Sequence, residues 1–346
     1  MTEVYLDNAA TTQPYPSVVA AIVETLEHNW GNPSSQHHRG RQAKALLEDS
    51  RQAVAEALGV EPCEIYFTSG GTESNNLALQ GAVWAAGAQG NGSRKLVTST
   101  LEHASVTKTV RNLKRQGWKI TYLEAFGGDF DEEGCRTACE AQPVLITIMA
   151  VQNELGYRFP LEQIAALRNR YSPQTLLHTD AIQAFGKLAF RPRELGFELA
   201  SLSAHKIGGP KGVGALYAQK GLRLYTTAHG GGQERQLRSG TEALPLIAGF
   251  AEAVRVSFSQ REAAELRARG LYKLLAEGLR RKFPQVIINS REDGSPFIIS
   301  FSLPGADNKT LLAQLSARGI FVSTASACES NQATITAGTW REKHPL

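Results

Sequence analysis

Between about residue 64 and residue 214, short apolar runs alternate with segments of helical periodicity. Ile65-Tyr66-Phe67, Lys95-Leu96-Val97-Thr98, Ile120-Thr121-Tyr122-Leu123 and the runs 144–151, 175–178 and 199–202 have strand length. Segments 73–84, 105–116 and 161–171 between them carry apolar residues at helical spacing. This alternation predicts an α/β fold, a mainly parallel sheet covered by helices. In open sheets of this kind ligands bind beyond the carboxyl ends of the strands, so the residues just after each run are the ones to inspect. After Thr241 the texture changes. Segment 246–282 is one long helical stretch rich in Ala, Leu, Glu and Arg, with Gly249 and Gly270 as possible breaks. A strand-like run 297–303, a helix 309–318 and a second strand-like run 320–323 follow, which predicts a connecting helix entering a smaller α/β domain.

Composition narrows the class. At 346 residues, 42% hydrophobic and 20% charged, the chain has room for a large core and a length prior of about two domains. No apolar run approaches a membrane span and the start lacks a basic region with an apolar stretch behind it, so no membrane association and a cytoplasmic location are expected. The formal charge of +4 is modest, and Lys114-Arg115 and Arg280-Arg281-Lys282 fall on helix-like segments, where they read as solvated faces; no nucleic-acid partner is expected. The four cysteines, Cys63, Cys135, Cys139 and Cys328, form no Cys-x-x-Cys pair, so neither a disulfide framework nor a metal site is expected.

Candidate chemistry sits at the strand ends. Lys206 follows an apolar run inside the glycine-rich stretch 203–212, and Asp180 and Gln183 follow another. A lysine at a strand end is most often merely solvated. Paired with Asp180, however, it has the two parts that a pyridoxal-type aldehyde needs, an amine to condense with it and a carboxylate to keep the pyridine nitrogen protonated. Thr68-Ser69-Gly70-Gly71-Thr72-Glu73 follows a strand and opens a helix, as a phosphate cradle would, or as a tight connection capped by Thr72 would. His103, after a further strand, could stack on a flat ring or move a proton, and serves equally as a residue at a helix start.

Taken together with Tyr5-Leu6-Asp7-Asn8-Ala9-Ala10-Thr11-Thr12, Gly31-Asn32-Pro33-Ser34-Ser35, Asn153-Glu154-Leu155-Gly156, His229-Gly230-Gly231-Gly232-Gln233-Glu234, Arg238-Ser239-Gly240-Thr241 and Ser326-Ala327-Cys328, these motifs resemble the NifS/IscS-type cysteine desulfurases. Those are fold-type I pyridoxal-phosphate enzymes of the class V aminotransferase group. The resemblance implies a large cofactor-binding domain at 16–245, an N-terminal arm at 1–15 belonging to the small domain, and a connecting helix with the small domain, shortened, at 246–346. It implies that Lys206 holds pyridoxal 5'-phosphate, Asp180 pairs with the ring nitrogen, Gln183 bonds the ring hydroxyl and His103 stacks on the ring. Gly71, Thr72, Ser203 and His205 would bind the phosphate, Thr241 would reach the phosphate site of the partner in a homodimer, and Asn153 would lie near the ring and the substrate carboxylate.

The activity implied is conversion of L-cysteine to L-alanine, with Lys206 moving the alpha proton, His103 managing protons and Cys328 taking the sulfur as a persulfide. The sulfur would pass to an acceptor or scaffold protein for iron-sulfur clusters or other sulfur-containing cofactors. Family members carry a Ser-x-Arg segment beyond the nucleophile, whose arginine clamps the substrate carboxylate; segment 332–346 does not resemble it, and Arg341 is no obvious replacement. A second reading follows from that difference: a cofactor-binding partner protein with weakened catalysis.

Overall fold

The computed structural model describes residues 3–88, 90, 92–125 and 130–324. Along the chain come β1 (Val4–Tyr5), α1 (Pro16–His28), α2 (His38–Leu58), β2 (Ile65–Thr68), α3 (Gly71–Ala88), β3 (Lys95–Ser99), α4 (Ala104–Arg115), β4 (Lys119–Leu123), α5 (Glu132–Glu140) and β5 (Leu145–Thr147). They are followed by α6 (Leu161–Tyr171), β6 (Leu176–Asp180), β7 (Leu199–Ser203), β8 (Gly214–Ala218), α7 (Leu244–Lys282), β9 (Ile287–Ile288), β10 (Phe301–Ser302), α8 (Asn308–Ala317) and β11 (Ile320–Phe321).

A seven-stranded sheet in the order β2-β8-β7-β6-β5-β3-β4 forms the centre. Only β8 runs against its neighbours, so the sheet is mainly parallel, as the alternating pattern predicts. Its inner strands are buried because helices cover both faces, β7 and β8 at all five positions, whereas the edge strand β4 is mostly exposed. One core cluster lies on the side of α2, α5, α6 and the first half of α7, the other on the side of α3 and α4. The helices α1 and α2 precede the alternating stretch, while α5 lies within it and β8 at its end, both outside the segments it marks.

Three sequence expectations change. Segment 144–151 is a strand only over Leu145–Thr147. Segment 297–303 narrows to Phe301–Ser302, paired antiparallel with β9. Gly249 and Gly270 do not break α7, which is continuous. At Gly249 a Cβ would come within 2.7 Å of Ile22 Cγ1, so the glycine lets α1 pack closely against α7. The first half of α7 is buried in the large core, whereas Leu266, Leu271 and Leu274 further along are exposed. Val4 and Tyr5 of β1 pair in parallel with Ile320 and Phe321 of β11, which joins the N-terminal arm to the last described element. Among the described residues no helix is long and apolar enough to cross a membrane.

Candidate active site

The site forms where β2, β6 and β7 end. These strands run in the same direction, so their carboxyl ends open on the same edge of the sheet. Asp180 is the last residue of β6 and is buried; Ser203 ends β7, and a tight turn, Ala204–Lys206, follows it directly. The Lys206 Nζ donates to the carbonyls of Ala9 and Ala10, each at 2.6 Å. The Gln183 Nε2 donates to the same Ala9 carbonyl at 2.9 Å. The N-terminal arm is therefore stitched to the strand ends, a link reinforced by the Thr12 N–H and hydroxyl, both of which donate to the His205 carbonyl at 2.9 Å. The His205 Nδ1 lies 3.1 Å from the Thr11 hydroxyl. Burial and the nearby Lys206, Lys211 and Lys187 push the His205 imidazole down to about 4, so it is neutral at physiological pH.

The connection from β2 to α3 supplies the anion-binding part. Gly70 has φ +148°, a backbone that side chains disfavour. At Gly71 a Cβ would sit 2.0 Å from Ile182 Cδ1 and 3.7 Å from the Ser203 Cβ. Glycine there is what lets the first turn of α3 rest against the loop after β6 and the end of β7. The first N–H groups of a helix have no intrahelical acceptor and attract anions; Thr72, exposed, stands beside them. Glu73 accepts from the Ser69 N–H at 2.5 Å and pairs with Arg238 at 2.9 Å, which ties segment 229–241 to the cradle.

On the other side of Asp180, its Oδ1 accepts from the Ile182 N–H at 3.1 Å and its Oδ2 from Asn75 Nδ2 at 2.7 Å. Asn75 also donates to the Ser105 hydroxyl at 2.8 Å, and that hydroxyl lies 2.8 Å from Nδ1 of His103, which caps α4. Lys206, Gln183, Asp180, Gly71, Ser203 and His103 thus belong to one contiguous cluster. Asn153 stands in the turn just past the stretch in which the Ile148 and Ala150 N–H groups bond the His178 and Asp180 carbonyls. Thr241 is exposed on the segment that Arg238 anchors. Neither is drawn into the hydrogen-bonded cluster. Cys328, with Ser326 and Ala327, lies outside the described residues, as does Arg341. Cys135 and Cys139 are buried and Cys63 is half-buried.

Some participants are not marked by the motifs. Lys187 is buried and donates to the Gln183 Oε1 at 2.8 Å. Burial, with Lys206 nearby, pushes its amine down to about 7. Glu102 is buried next to His103 and accepts from the Ser99 hydroxyl at 2.6 Å and the Met149 N–H at 2.9 Å. Burial, with the Asp180 charge, pushes its carboxyl up to about 8. The visible signal for Lys187 is a lone charge in the otherwise apolar run from Ala184 to Phe190; for Asn75 it is an amide four residues after Gly71 on the same helical face.

The donor set fits pyridoxal phosphate. It offers an amine that can condense with an aldehyde, a buried carboxylate for a ring nitrogen, an amide N–H for a ring hydroxyl, and a glycine-shaped helix N-terminus flanked by hydroxyls for a phosphate. No group of three or more metal-ligating side chains occurs among the described residues.

Comparison with known proteins agrees with this chemistry. The family model described as aminotransferase class-V matches residues 4–341, running past the Cys328 motif. The cysteine desulfurase IscS of Dictyoglomus turgidum is 37% identical over 331 residues, 95% of this chain and 83% of that protein. A NifS/IcsS protein homolog of Lactobacillus delbrueckii subsp. bulgaricus is 39% identical over 95% of this chain and 86% of its own length. A solved structure of a NifS-like protein superposes with a TM-score of 0.89 at 35% identity, covering 94% of this chain and 88% of the other.

Proposed function

The chain belongs to the class V aminotransferase family, and from that premise we propose that it is a pyridoxal-phosphate-dependent cysteine desulfurase that converts L-cysteine to L-alanine. The observation that carries this reading is the placement of Asp180 and Lys206 at the ends of adjacent parallel strands, with a glycine cradle at the end of a third. When bound, pyridoxal phosphate supplies an aldehyde that captures the substrate amine and a ring that delocalises negative charge from its α-carbon.

The chain's own residues do the rest. Lys206 holds the cofactor and moves the α-proton through Nζ; Asp180 keeps the ring nitrogen protonated; Gln183 turns an amide N–H toward the ring hydroxyl. His103 stacks on the ring and handles protons, while Gly71, Thr72, Ser203 and His205 hold the phosphate, and Asn153 orients ring and substrate. The Cys328 thiolate attacks the substrate sulfur, forming an S–S bond as the C–S bond breaks with its electron pair retained on the carbon fragment that becomes alanine. The result is a protein persulfide that a sulfur-acceptor protein discharges, for iron-sulfur clusters or other sulfur-containing cofactors. Exposed Thr241, on the Arg238-anchored segment, completes the phosphate site of a second copy in a homodimer. Residues 16–245 form the cofactor domain, with 1–15 and 246–346 making up the arm, connecting helix and small domain.

The test is alanine release from L-cysteine by purified, cofactor-loaded protein, beside Lys206→Ala and Cys328→Ala. Alanine and a persulfide are expected from the parent chain, no cofactor absorbance at the lysine-bound wavelength from Lys206→Ala, and no persulfide from Cys328→Ala. Parent-chain alanine no higher than in Lys206→Ala would sink the reading.

A further inference from the structure

The Asn75 carboxamide is fully buried and spends both of its hydrogens. One goes to the Asp180 Oδ2 at 2.7 Å and the other to the Ser105 Oγ at 2.8 Å. A carboxylate only accepts, so the amide nitrogen must face Asp180. Its oxygen, Oδ1, is left buried with no partner. Leaving a buried acceptor unpaired destabilises a fold, and leucine would fill nearly the same volume without that penalty. What the amide offers in return is its two donated hydrogens.

The direction of the next link follows from the backbone. The Ser105 N–H, which can only donate, points at His103 Nδ1 at 3.2 Å. That nitrogen is therefore an unprotonated acceptor. The Ser105 Oγ, 2.8 Å from the same Nδ1 and already accepting from Asn75, directs its hydroxyl hydrogen to it. The imidazole proton is left on Nε2.

We infer that Asn75 and Ser105 are positioning residues that link the Asp180 carboxylate to His103 through one hydrogen-bond chain, holding the imidazole as the Nε2–H tautomer. Asn75 fixes the rotor of the Ser105 hydroxyl, and the hydroxyl with its own backbone N–H fixes the ring. Neither side chain needs to touch substrate or cofactor. The roles of Asp180 and His103 in the reaction rest on the desulfurase reading; the hydrogen-bond chain does not.

The test reads the tautomer directly. Protein labelled with 15N-histidine is compared with His103→Gln to assign the ring resonances, in the cofactor-free and loaded forms at a pH where the ring is neutral. The parent chain should show an unprotonated, hydrogen-bonded Nδ1 and a protonated Nε2. Ser105→Ala and Asn75→Leu should each shift the Nδ1 resonance toward that of an unbonded nitrogen, and Ser105→Thr, which keeps the hydroxyl, should restore it. In loaded protein the two disruptive variants should lose on the order of tenfold in kcat for alanine release, with KM for cysteine little changed, because part of the acid-base contribution of His103 is lost. A parent chain with the proton on Nδ1 overturns the inference, as does an Nδ1 resonance unmoved in folded Ser105→Ala. Because these signals are read without turnover, an inactive enzyme with the expected tautomer would refute the desulfurase reading while leaving the hydrogen-bond chain intact.

Discussion

Segment 229–241 carries Arg238 and Thr241, and its backbone is strained: Glu234, Arg235 and Gln236 have φ of 44°, 53° and 68°. Left-handed backbone costs a residue with a side chain roughly 1–2 kcal/mol, and here three occur in succession. What opposes this is a buried ion pair. Arg51 and Glu234 are almost fully enclosed and meet as a fork, with Nη1 to Oε2 at 2.8 Å and Nη2 to Oε1 at 2.9 Å, and Glu234 also accepts the Phe67 N–H at 2.8 Å. Glu234→Gln would remove the neutralising charge and turn an amide NH2 toward a group that itself only donates, leaving the buried guanidinium with the half-exposed Glu48 as its remaining carboxylate. Breaking one side of such a pair costs about 3–5 kcal/mol, comparable to the strain it opposes, so the segment should come free. Urea unfolding of the cofactor-free chain should show that loss. Arg51→Met/Glu234→Leu should recover most of the stability, since apolar replacement of a whole buried pair is near neutral. It should not recover cofactor binding, because apolar packing lacks the directional bonds that fix the backbone at 234–236, and the partly exposed Arg238–Glu73 pair must then place the segment without them. Its cofactor dissociation constant, read by absorbance titration, should stay raised by about tenfold, the equivalent of ~1.4 kcal/mol. A Glu234→Gln chain within about 1 kcal/mol of the parent, or a double variant binding cofactor as tightly as the parent, would refute this reasoning.

The buried Lys187 amine, pushed down to about 7 from 10.5, binds fewer protons folded than unfolded between those values, so its contribution to stability rises with pH across that window. Lys187→Met should therefore gain relative to the parent as pH falls from 10.5 to 7, by up to about 1.4 kcal/mol per pH unit, and level off below; parallel urea-midpoint curves would contradict this. Glu102 has the opposite sign: its carboxyl, raised from 4.5 to about 8, holds its proton longer in the fold, so stability from this group is full below 4.5 and is lost as pH rises toward 8. Glu102→Gln, which can keep the Ser99 and Met149 contacts through Oε1, should flatten that decline, and an unchanged slope in thermal melts from pH 5 to 8 would count against it. Gly71→Ala drives a Cβ to 2.0 Å from Ile182 Cδ1 and should cost about 1–3 kcal/mol and weaken cofactor binding. Adding Ile182→Ala should restore both, and failure of that rescue in unfolding and cofactor titrations would mean the steric account is wrong.

The sequence by itself determined the sheet-and-helix alternation and the residues at its strand ends, because both are written locally. A strand in a covered parallel sheet is rich in apolar residues, and the polar groups at its carboxyl end lie at the open edge. Lys206, Asp180, Gln183, His103 and the Gly70-Gly71 turn are legible for that reason. The division of labour among buried polar groups was decided only by the tertiary structure. Asn75 reads as an ordinary helix residue until β6 brings Asp180 within 2.7 Å and α4 brings Ser105 within 2.8 Å of it. Lys187 looks like a solvated lysine until its amine is enclosed and bonded to Gln183. Arg51 and Glu234 are separated by 183 positions and share no local pattern. Burial raises the energy of every unpaired charge or donor, so the partner found across the fold, not the neighbour along the chain, sets what each of these groups can do.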